Sequence, residues 1–176
     1  MLDHKDVAKI AVQGYRLWQQ DSVEEAESMY REALCLATSD ALALADYHGE
    51  FAAVLDSLGK REEAELHLHT ALRLEIERAA DPHDVGVLIA RYFLAEFLVR
   101  HGHPQRALAI VQPHIRAATH GVRLLHLIET EAWSAVGDTV AAKQAARHTL
   151  ASAPAEDKRS ELRLRFLEIG LHDVAG

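Results

Sequence analysis

The sequence predicts an all-α protein, an α-solenoid of about four helix hairpins followed by a C-terminal capping helix. Alanine and leucine dominate, while aromatic residues make up only 6% of the chain, which favours close helix-on-helix packing over a β-sandwich. Four stretches also repeat a turn, a polar segment and an alanine, and aligning them on Ala26, Ala64, Ala107 and Ala142 gives intervals of 38, 43 and 35 residues. Intervals of this length are typical of paired helices.

The helix boundaries follow from apolar periodicity and from residues that start or stop helices. Gly59, Gly102 and Gly137 stand where the first helix of a hairpin must end, and Pro104 and Asp138 stand where the next helix begins. We predict helices near residues 4–19, 22–37, 40–58, 61–79, 82–101, 104–118, 121–136, 138–151 and 155–169.

Several residues suggest how individual helices begin or are interrupted. Ser22 and Glu25 have the spacing of a capping box, in which each side chain bonds a free backbone N–H at the helix start. Asp81 followed by Pro82 is typical of a cap and a first helical position. Pro113 falls inside the sixth predicted helix and is expected to kink or break it.

Cysteine content and hydropathy set the expected environment. Cys35, the single cysteine, lies among apolar neighbours in REALCLA, so we expect a small buried hydrophobe rather than a reactive thiol. No apolar run approaches the length of a membrane span, and the N-terminus lacks the pattern of a secretion signal. We therefore expect a cytoplasmic protein that does not act on a membrane.

The net charge of −8 is unevenly distributed. Residues 1–81 contain 17 Asp or Glu against 8 Lys or Arg, whereas residues 82–176 contain 10 against 11. Nucleic-acid binding needs a clustered basic face, so this distribution argues against a nucleic-acid partner and leaves a basic partner open.

The repeated units resemble the tetratricopeptide repeat (TPR) family, in which a small residue on the first helix faces an alanine, an aromatic residue and a second alanine on the second helix. The corresponding residues in the first unit are Gly14, Ala26, Tyr30 and Ala33. The second unit offers Ala52, Ala64, Leu68 and Ala71, and the fourth offers Ala142, Ala146 and Pro154. The third departs from the pattern, since His114 stands where the last alanine is expected.

This resemblance covers residues 5–154 and implies a right-handed solenoid. The longer central spacing and the stretch DPHDVGVLIARYFLAEFLVRHGHPQRALAIV are similar to the extended repeats of kinesin light chain. We expect a single TPR-like domain over residues 1–176, with repeats near 5–38, 40–80, 82–118 and 121–154 and a capping helix at 155–171.

The capping helix is expected because each hairpin leaves an apolar face that only a neighbour can cover. Leu162, Phe166 and Ile169 form one helical stripe that would cover the fourth repeat. The alternative is that the same helix makes a homodimer contact.

In the TPR family the first helices of successive repeats line a concave groove, where ligands usually bind. The resemblance places the following residues in that groove: Tyr15, Trp18, Asp46, Glu50, Asp56, Tyr92, Glu96, Arg100 and Glu131. The set is acidic and aromatic, so it suits a peptide or helix that carries Lys or Arg with apolar anchors.

Two alternatives to a binding role are open. The acidic residues could be solvated surface charges, which individually contribute little, and Trp18 and Trp133 could be packing residues. Some TPR proteins hold the C-terminal carboxylate of a chaperone tail with lysines and asparagines. The chain contains no asparagine, so a clamp of that kind is not expected.

The 12 histidines raise the question of a metal site. Ligands on one helix must be three or four residues apart to share a face, and no pair among these histidines has that spacing. His67 and His69 are two apart and diverge by roughly 200°. Only His101 and His103, in the turn HGHP, could bring two rings together, and two ligands make a weak site. We expect no metal and no cofactor.

The sequence also lacks a nucleophile elbow, a phosphate-binding loop and a glycine-rich dinucleotide turn, so we expect no catalytic activity. The predicted function is a protein–protein interaction module that acts as an adaptor or scaffold. The alternative is a dedicated chaperone or an immunity-type inhibitor that masks a single partner protein.

Overall fold

The computed structural model describes residues 4–37, 43–115 and 122–174, and over these ranges it contains nine α-helices and no strand. The helices are α1 (His4–Gln19), α2 (Val23–Leu36), α3 (Leu44–Ser57), α4 (Arg61–Arg78), α5 (Val85–Arg100), α6 (Pro104–Ile115), α7 (Val122–Val136), α8 (Thr139–Ala151) and α9 (Glu156–Glu168). A short 3-10 helix, His172–Val174, follows α9. The all-α prediction is confirmed.

The chain divides into two compact units, Met1–Ala79 and Ala80–Gly176, called unit 1 and unit 2 below. In unit 1, α1 packs on α2, α2 on α3, and α3 on α4. In unit 2, α5 and α6 pack on each other and on α7, α7 packs on α8, and α9 meets α8 and the 3-10 helix. The single domain over residues 1–176 stays a prediction.

Each hairpin closes through the same tight turn. Gly59, Gly102 and Gly137 have φ of 74°, 82° and 89°, a left-handed conformation that glycine adopts without steric cost. The first hairpin uses Asp21 instead, with φ of 63°. The residue after the turn donates its N–H to a carbonyl five residues earlier, as in Lys60 to Leu55 at 2.9 Å. The three glycines therefore end their helices as predicted.

Small residues and one buried tyrosine form the contact between the paired helices. Ala26, Tyr30 and Ala33 are fully buried on α2, and Ala64 is fully buried on α4. A Cβ atom on Gly14 would lie 3.1 Å from Cβ of Met29 and 3.1 Å from the ring of Tyr30, which is tighter than most real Cβ contacts. The helices of the first hairpin therefore approach so closely at Gly14 that a larger residue would require Met29 or Tyr30 to shift.

The predicted apolar stripe of the last helix is confirmed as a cap. Leu162 and Phe166 are 4% and 0% exposed and pack in one core with Leu127, Ala142 and Ala146. Ile169 is partly buried against the same core. The core of unit 2 therefore depends on α9 to cover α7 and α8.

Two predicted caps are wrong. Ser22 occupies the cap position of α2, but its side chain makes no capping hydrogen bond. Asp81 instead accepts a hydrogen bond from the backbone N–H of His83 at 2.8 Å, closing a turn. As a result α5 begins at Val85, three residues after Pro82.

Other local predictions had mixed outcomes. Asp138 caps α8 as expected, accepting from the N–H of Ala141 at 3.0 Å. Pro113 does not break α6, which continues to Ile115. Cys35 is exposed rather than buried, because it lies two residues after the buried Ala33 and so on the opposite side of α2. The predicted start near residue 40 and the boundary between residues 116 and 121 lie outside the described residues.

Within the described ranges, no helix combines the length and the apolar character needed to cross a membrane.

The close contact at Gly14 gives a stability prediction. Gly14→Val should lower the free energy of unfolding by roughly 2 kcal/mol, because the added atoms overpack the seam between α1 and α2. Gly49→Val is the matched control, since a Cβ at Gly49 in α3 meets nothing within 4 Å. That variant should change stability by less than about 0.5 kcal/mol. Urea unfolding followed by circular dichroism measures both, and equal midpoints for the two variants would contradict the close contact.

Candidate functional site

Two aromatic residues of the predicted groove lie together on α1. The ring centroids of Tyr15 and Trp18 are 5.9 Å apart in a T-shaped arrangement. Trp18 is half-buried and donates its Nε1–H to Oγ of Ser57, at the end of α3, at 3.2 Å, whereas Tyr15 is 43% exposed. The pair therefore presents a partly exposed aromatic surface where α1 meets α3.

Two predicted carboxylates, Asp46 and Glu50, lie one turn apart on the same face of α3. The hydroxyl of the fully buried Tyr30 donates a hydrogen bond to Oε2 of Glu50 at 2.8 Å. The ring of Tyr30, on α2, also packs against Gly14 of α1. This bond therefore connects the contact between α1 and α2 to the surface of α3.

The environment of these carboxylates disfavours their charge. Burial raises the pKa of Asp46, and the charge of Glu75 raises it further, against a smaller opposing effect of Arg78. Burial also raises the pKa of Glu50. The hydrogen bond from Tyr30 lowers this pKa, and the charge of Asp46 raises it. Neither carboxylate has a salt-bridge partner within 4.0 Å among the residues that the structure describes. A cation placed beside them would stabilise both charged forms.

Asp56 is not grouped with these two residues. It is half-buried near the end of α3, six residues after Glu50, which places it about 240° further around the helix. We define the α1–α3 surface as Tyr15, Trp18, Asp46 and Glu50.

The groove residues predicted in unit 2 meet a cation from the capping helix. The hydroxyl of Tyr92 donates to Oε1 of Glu96 on α5 at 3.2 Å, and burial followed by the charge of Glu96 raises the pKa of Tyr92 to about 12. Arg165 on α9 forms an ion pair with Glu131 of α7, with Nε and Oε1 2.5 Å apart, and its Nη2 lies 4.0 Å from Glu96. Arg100 is exposed on α5, one turn after Glu96.

Unit 2 therefore differs from unit 1 in electrostatics. Burial raises the pKa of Glu131, but Arg165 opposes this shift and supplies the compensating charge. Sequence reasoning missed Arg165, because the family resemblance assigns groove positions only to the first helices of repeats and α9 was considered as a cap.

A second feature absent from the sequence prediction is a histidine pair across α3 and α4. The Nδ1 atoms of His48 and His67 are 2.6 Å apart, and the rings stack with centroids 4.9 Å apart. The ring of Phe51 packs edge-on against His67 at 4.7 Å. Burial, and then the neighbouring His67, lower the pKa of His48 to about 4, and burial lowers the pKa of His67. Both rings are thus neutral at pH 7, with one donating to the other.

The metal hypothesis finds no support in the described part of the chain, where no group of three or more His, Cys, Asp or Glu side chains could hold an ion. His67 turns toward His48 and away from His69, whose Nε2 is 3.5 Å from Glu65. His101, from the HGHP turn, packs against Phe97 with centroids 4.4 Å apart.

The histidine pair predicts a pH-dependent stability. The pKa of His48 falls from 6.5 to about 4 on folding, so the unfolded chain binds more protons between these values and stability is lost as the pH falls through that window. His48→Gln should remove about 1–2 kcal/mol of this pH dependence, after allowance for partial exposure.

The matched control is His69→Gln, which removes an exposed histidine of α4 outside the pair. Between about pH 4.5 and about pH 7 its unfolding free energy should depend on pH more steeply than that of His48→Gln, because the pair is intact. Chemical denaturation at several pH values measures these slopes. Equal slopes for His48→Gln and the unmodified chain would refute the buried neutral pair.

Comparison with known proteins supports the fold. No family profile matches the sequence, and no curated protein sequence does. The chain is similar to a solved structure described as the MamA RS-1 ArsTM double mutant, with a TM-score of 0.66 and 17% identity over 99% of this chain and 90% of that one. MamA is a TPR-like protein. The chain therefore has a TPR-like, all-α fold consistent with an α-solenoid.

Proposed function

We propose that the protein is a non-catalytic interaction module that binds a peptide or helical segment carrying lysine or arginine, and that it acts as an adaptor or scaffold. The observation that supports this most is the α1–α3 surface of unit 1. There, Tyr15 and Trp18 offer rigid apolar contact area on α1, and Asp46 and Glu50 offer carboxylates on α3.

The electrostatic state of this surface favours a cationic ligand. Asp46 and Glu50 repel each other and have raised pKa values, so a lysine or arginine between them gains two charge-assisted contacts. The acidic excess of residues 1–81 acts in the same direction at longer range. The same acidic excess disfavours binding of nucleic acids, because their phosphate backbone is also negatively charged.

The predicted contact residues of unit 2 have a different proposed role. Because Arg165 already compensates Glu131 and approaches Glu96, these two acids attract a basic ligand less than the carboxylates of α3 do. Tyr92 and Arg100 would supply aromatic and polar contacts there. In unit 1, Asp56 is retained as a proposed contact on a different side of α3 from Glu50.

The alternative is a dedicated chaperone or immunity-type inhibitor that masks one partner. The two proposals differ in partner number and exchange rate. Affinity purification with the full chain, followed by mass spectrometry, distinguishes them. An adaptor should recover several partners that wash off readily, whereas a masking protein should retain one partner in equal amount.

A homodimer through α9 is a further alternative. Leu164 and Leu167 are 63% and 38% exposed, whereas Leu162 and Phe166 are buried inside unit 2. A dimer contact would therefore use Leu164 and Leu167, and a monomeric mass by sedimentation would exclude it. The cytoplasmic location and the similarity to kinesin light chain stay predictions.

The contribution of the Asp46 and Glu50 charges to peptide binding can be tested with a fluorescein-labelled peptide that alternates lysine and leucine. The double variant Asp46→Asn, Glu50→Gln should bind it about 5- to 10-fold more weakly at low salt, since two carboxylates are lost. The Glu50→Gln substitution keeps a side-chain oxygen that can accept from the hydroxyl of Tyr30, so the packing around α3 should be preserved. Fluorescence polarisation measures the affinities.

The double variant Glu25→Gln, Glu32→Gln is the matched control, because it removes two carboxylates from exposed positions on α2 of the same unit. It should change the affinity less than about twofold, within the range expected for exposed charges. Equal losses in the two variants would contradict a specific role for α3. So would an affinity unchanged when salt rises from about 20 to about 150 mM.

Acidification provides a separate test of the same surface. The affinity for the basic peptide should fall as the pH decreases, because protonation removes the charges of Asp46 and Glu50. Their raised pKa values mean that this loss starts at a higher pH than for ordinary carboxylates. An identical pH profile for the unmodified chain and the Asp46→Asn, Glu50→Gln variant would contradict the assignment.

A further inference from the structure

Unit 2 contains a cavity of about 200 Å³ between α5, α7 and α9. Its apolar lining comes from Leu124 and Leu127 on α7 and from Leu162 on α9, with the ring of Tyr92 on α5. Most small-molecule sites are larger, at roughly 300–1,000 Å³. The cavity is therefore suited to one inserted side chain rather than to a whole metabolite.

The polar lining of this cavity is cationic. It consists of Arg123, Lys158 and Arg165, and Glu161 is the single acid among the described residues that line it. Cations outnumber acids in this lining, whereas the chain as a whole has a net charge of −8. The charged residues of the α1–α3 surface in unit 1, in contrast, are both acids.

The three cations differ in what compensates them. Lys158 pairs with Glu161 at 2.6 Å, and Arg165 pairs with Glu131. Arg123 has no hydrogen-bond or ion-pair partner within the described part of the chain. It is half-buried in the first turn of α7, where the positive end of the helix dipole disfavours a cation. Helix stability therefore does not explain an arginine at this position, whereas an anion bound beside it would gain from both the side chain and the dipole.

We infer that this cavity binds an acidic segment of a partner protein, in which an aliphatic side chain inserts between Leu124, Leu127 and Leu162. One flanking glutamate or aspartate pairs with Arg123, and a second replaces Glu161 as the partner of Lys158. Arg123 and Lys158 lie on α7 and α9, so the cations stand on two different walls of the cavity. A segment with one acid on each side of its aliphatic side chain could therefore contact Arg123 and Lys158 at the same time. A single terminal carboxylate would contact only one of the two cations.

This inference rests on the proposal that the protein binds peptides, but it concerns a different unit and a ligand of opposite charge. The test therefore uses a peptide without basic residues and with both ends capped, labelled with fluorescein, whose core is Glu-Leu-Glu. Failure of the lysine–leucine peptide to bind the α1–α3 surface leaves this result unaffected, so the two proposals fail separately.

The full chain should bind the Glu-Leu-Glu peptide, with about tenfold weaker binding when its leucine is replaced by alanine. Arg123→Gln should weaken binding about 5-fold, and Arg123→Lys should keep most of the affinity, since the charge is retained. Arg147→Gln is the control, because it removes one exposed arginine from α8 outside the cavity lining.

Three results would overturn the inference. The first is equal affinity for a Gln-Leu-Gln peptide, which would show that the acids do not contribute. The second is equal weakening by Arg123→Gln and Arg147→Gln, which would show a general charge effect. The third is binding only when the peptide has a free C-terminal carboxylate, which would identify a chain end as the occupant instead of an internal segment.

Discussion

The close approach of paired helices is the constraint on which the rest of the structure depends. At Gly14 the backbone of α1 lies so near Met29 and Tyr30 that a Cβ atom would have contacts of 3.1 Å. Left-handed turn residues bring each helix back against its partner, and buried alanines such as Ala26 and Ala64 keep the contact short. The short turn and the small residues at the seam therefore both favour the close pairing of the two helices.

This constraint also positions the α1–α3 surface. Tyr30 is fully buried in the seam beside Gly14, and its hydroxyl holds Glu50 on α3. Trp18 reaches α3 through Ser57 at the other end of that helix. Glu50 and Trp18 are therefore held by hydrogen bonds between helices rather than by loops, which lowers the entropy lost when a ligand binds.

The helices could be predicted well from the sequence because their signals are local. Apolar periodicity and the glycines at 59, 102 and 137 depend only on neighbours along the chain, and Asp138 caps its helix as its position suggested. The prediction for Cys35 failed because apolar neighbours in sequence were read as apolar neighbours in space. The caps at Ser22 and Asp81 failed because a cap also needs a side chain that bonds a free N–H of the helix. Ser22 makes no such bond, and Asp81 bonds the N–H of His83, which precedes the start of α5.

The site was harder to predict because its contacts join distant helices. His48 and His67 meet across a hairpin, 19 residues apart in sequence, and the spacing rule for one helix cannot detect such a pair. Arg165 changes the electrostatics of Glu131 from a distant part of the chain, on a helix expected only to cover the core. As a result the residues predicted to form one acidic groove comprise, in unit 1, carboxylates without a compensating cation and, in unit 2, acids that Arg165 compensates or approaches.

The most direct test of the central claim is an NMR titration of the isotope-labelled full chain with the lysine–leucine peptide. The account predicts that the largest shifts affect the Nε1–H of Trp18 and the amides of Tyr15, Asp46 and Glu50. Shifts confined to α2 or to unit 2, with Trp18 and Glu50 unaffected, would contradict it.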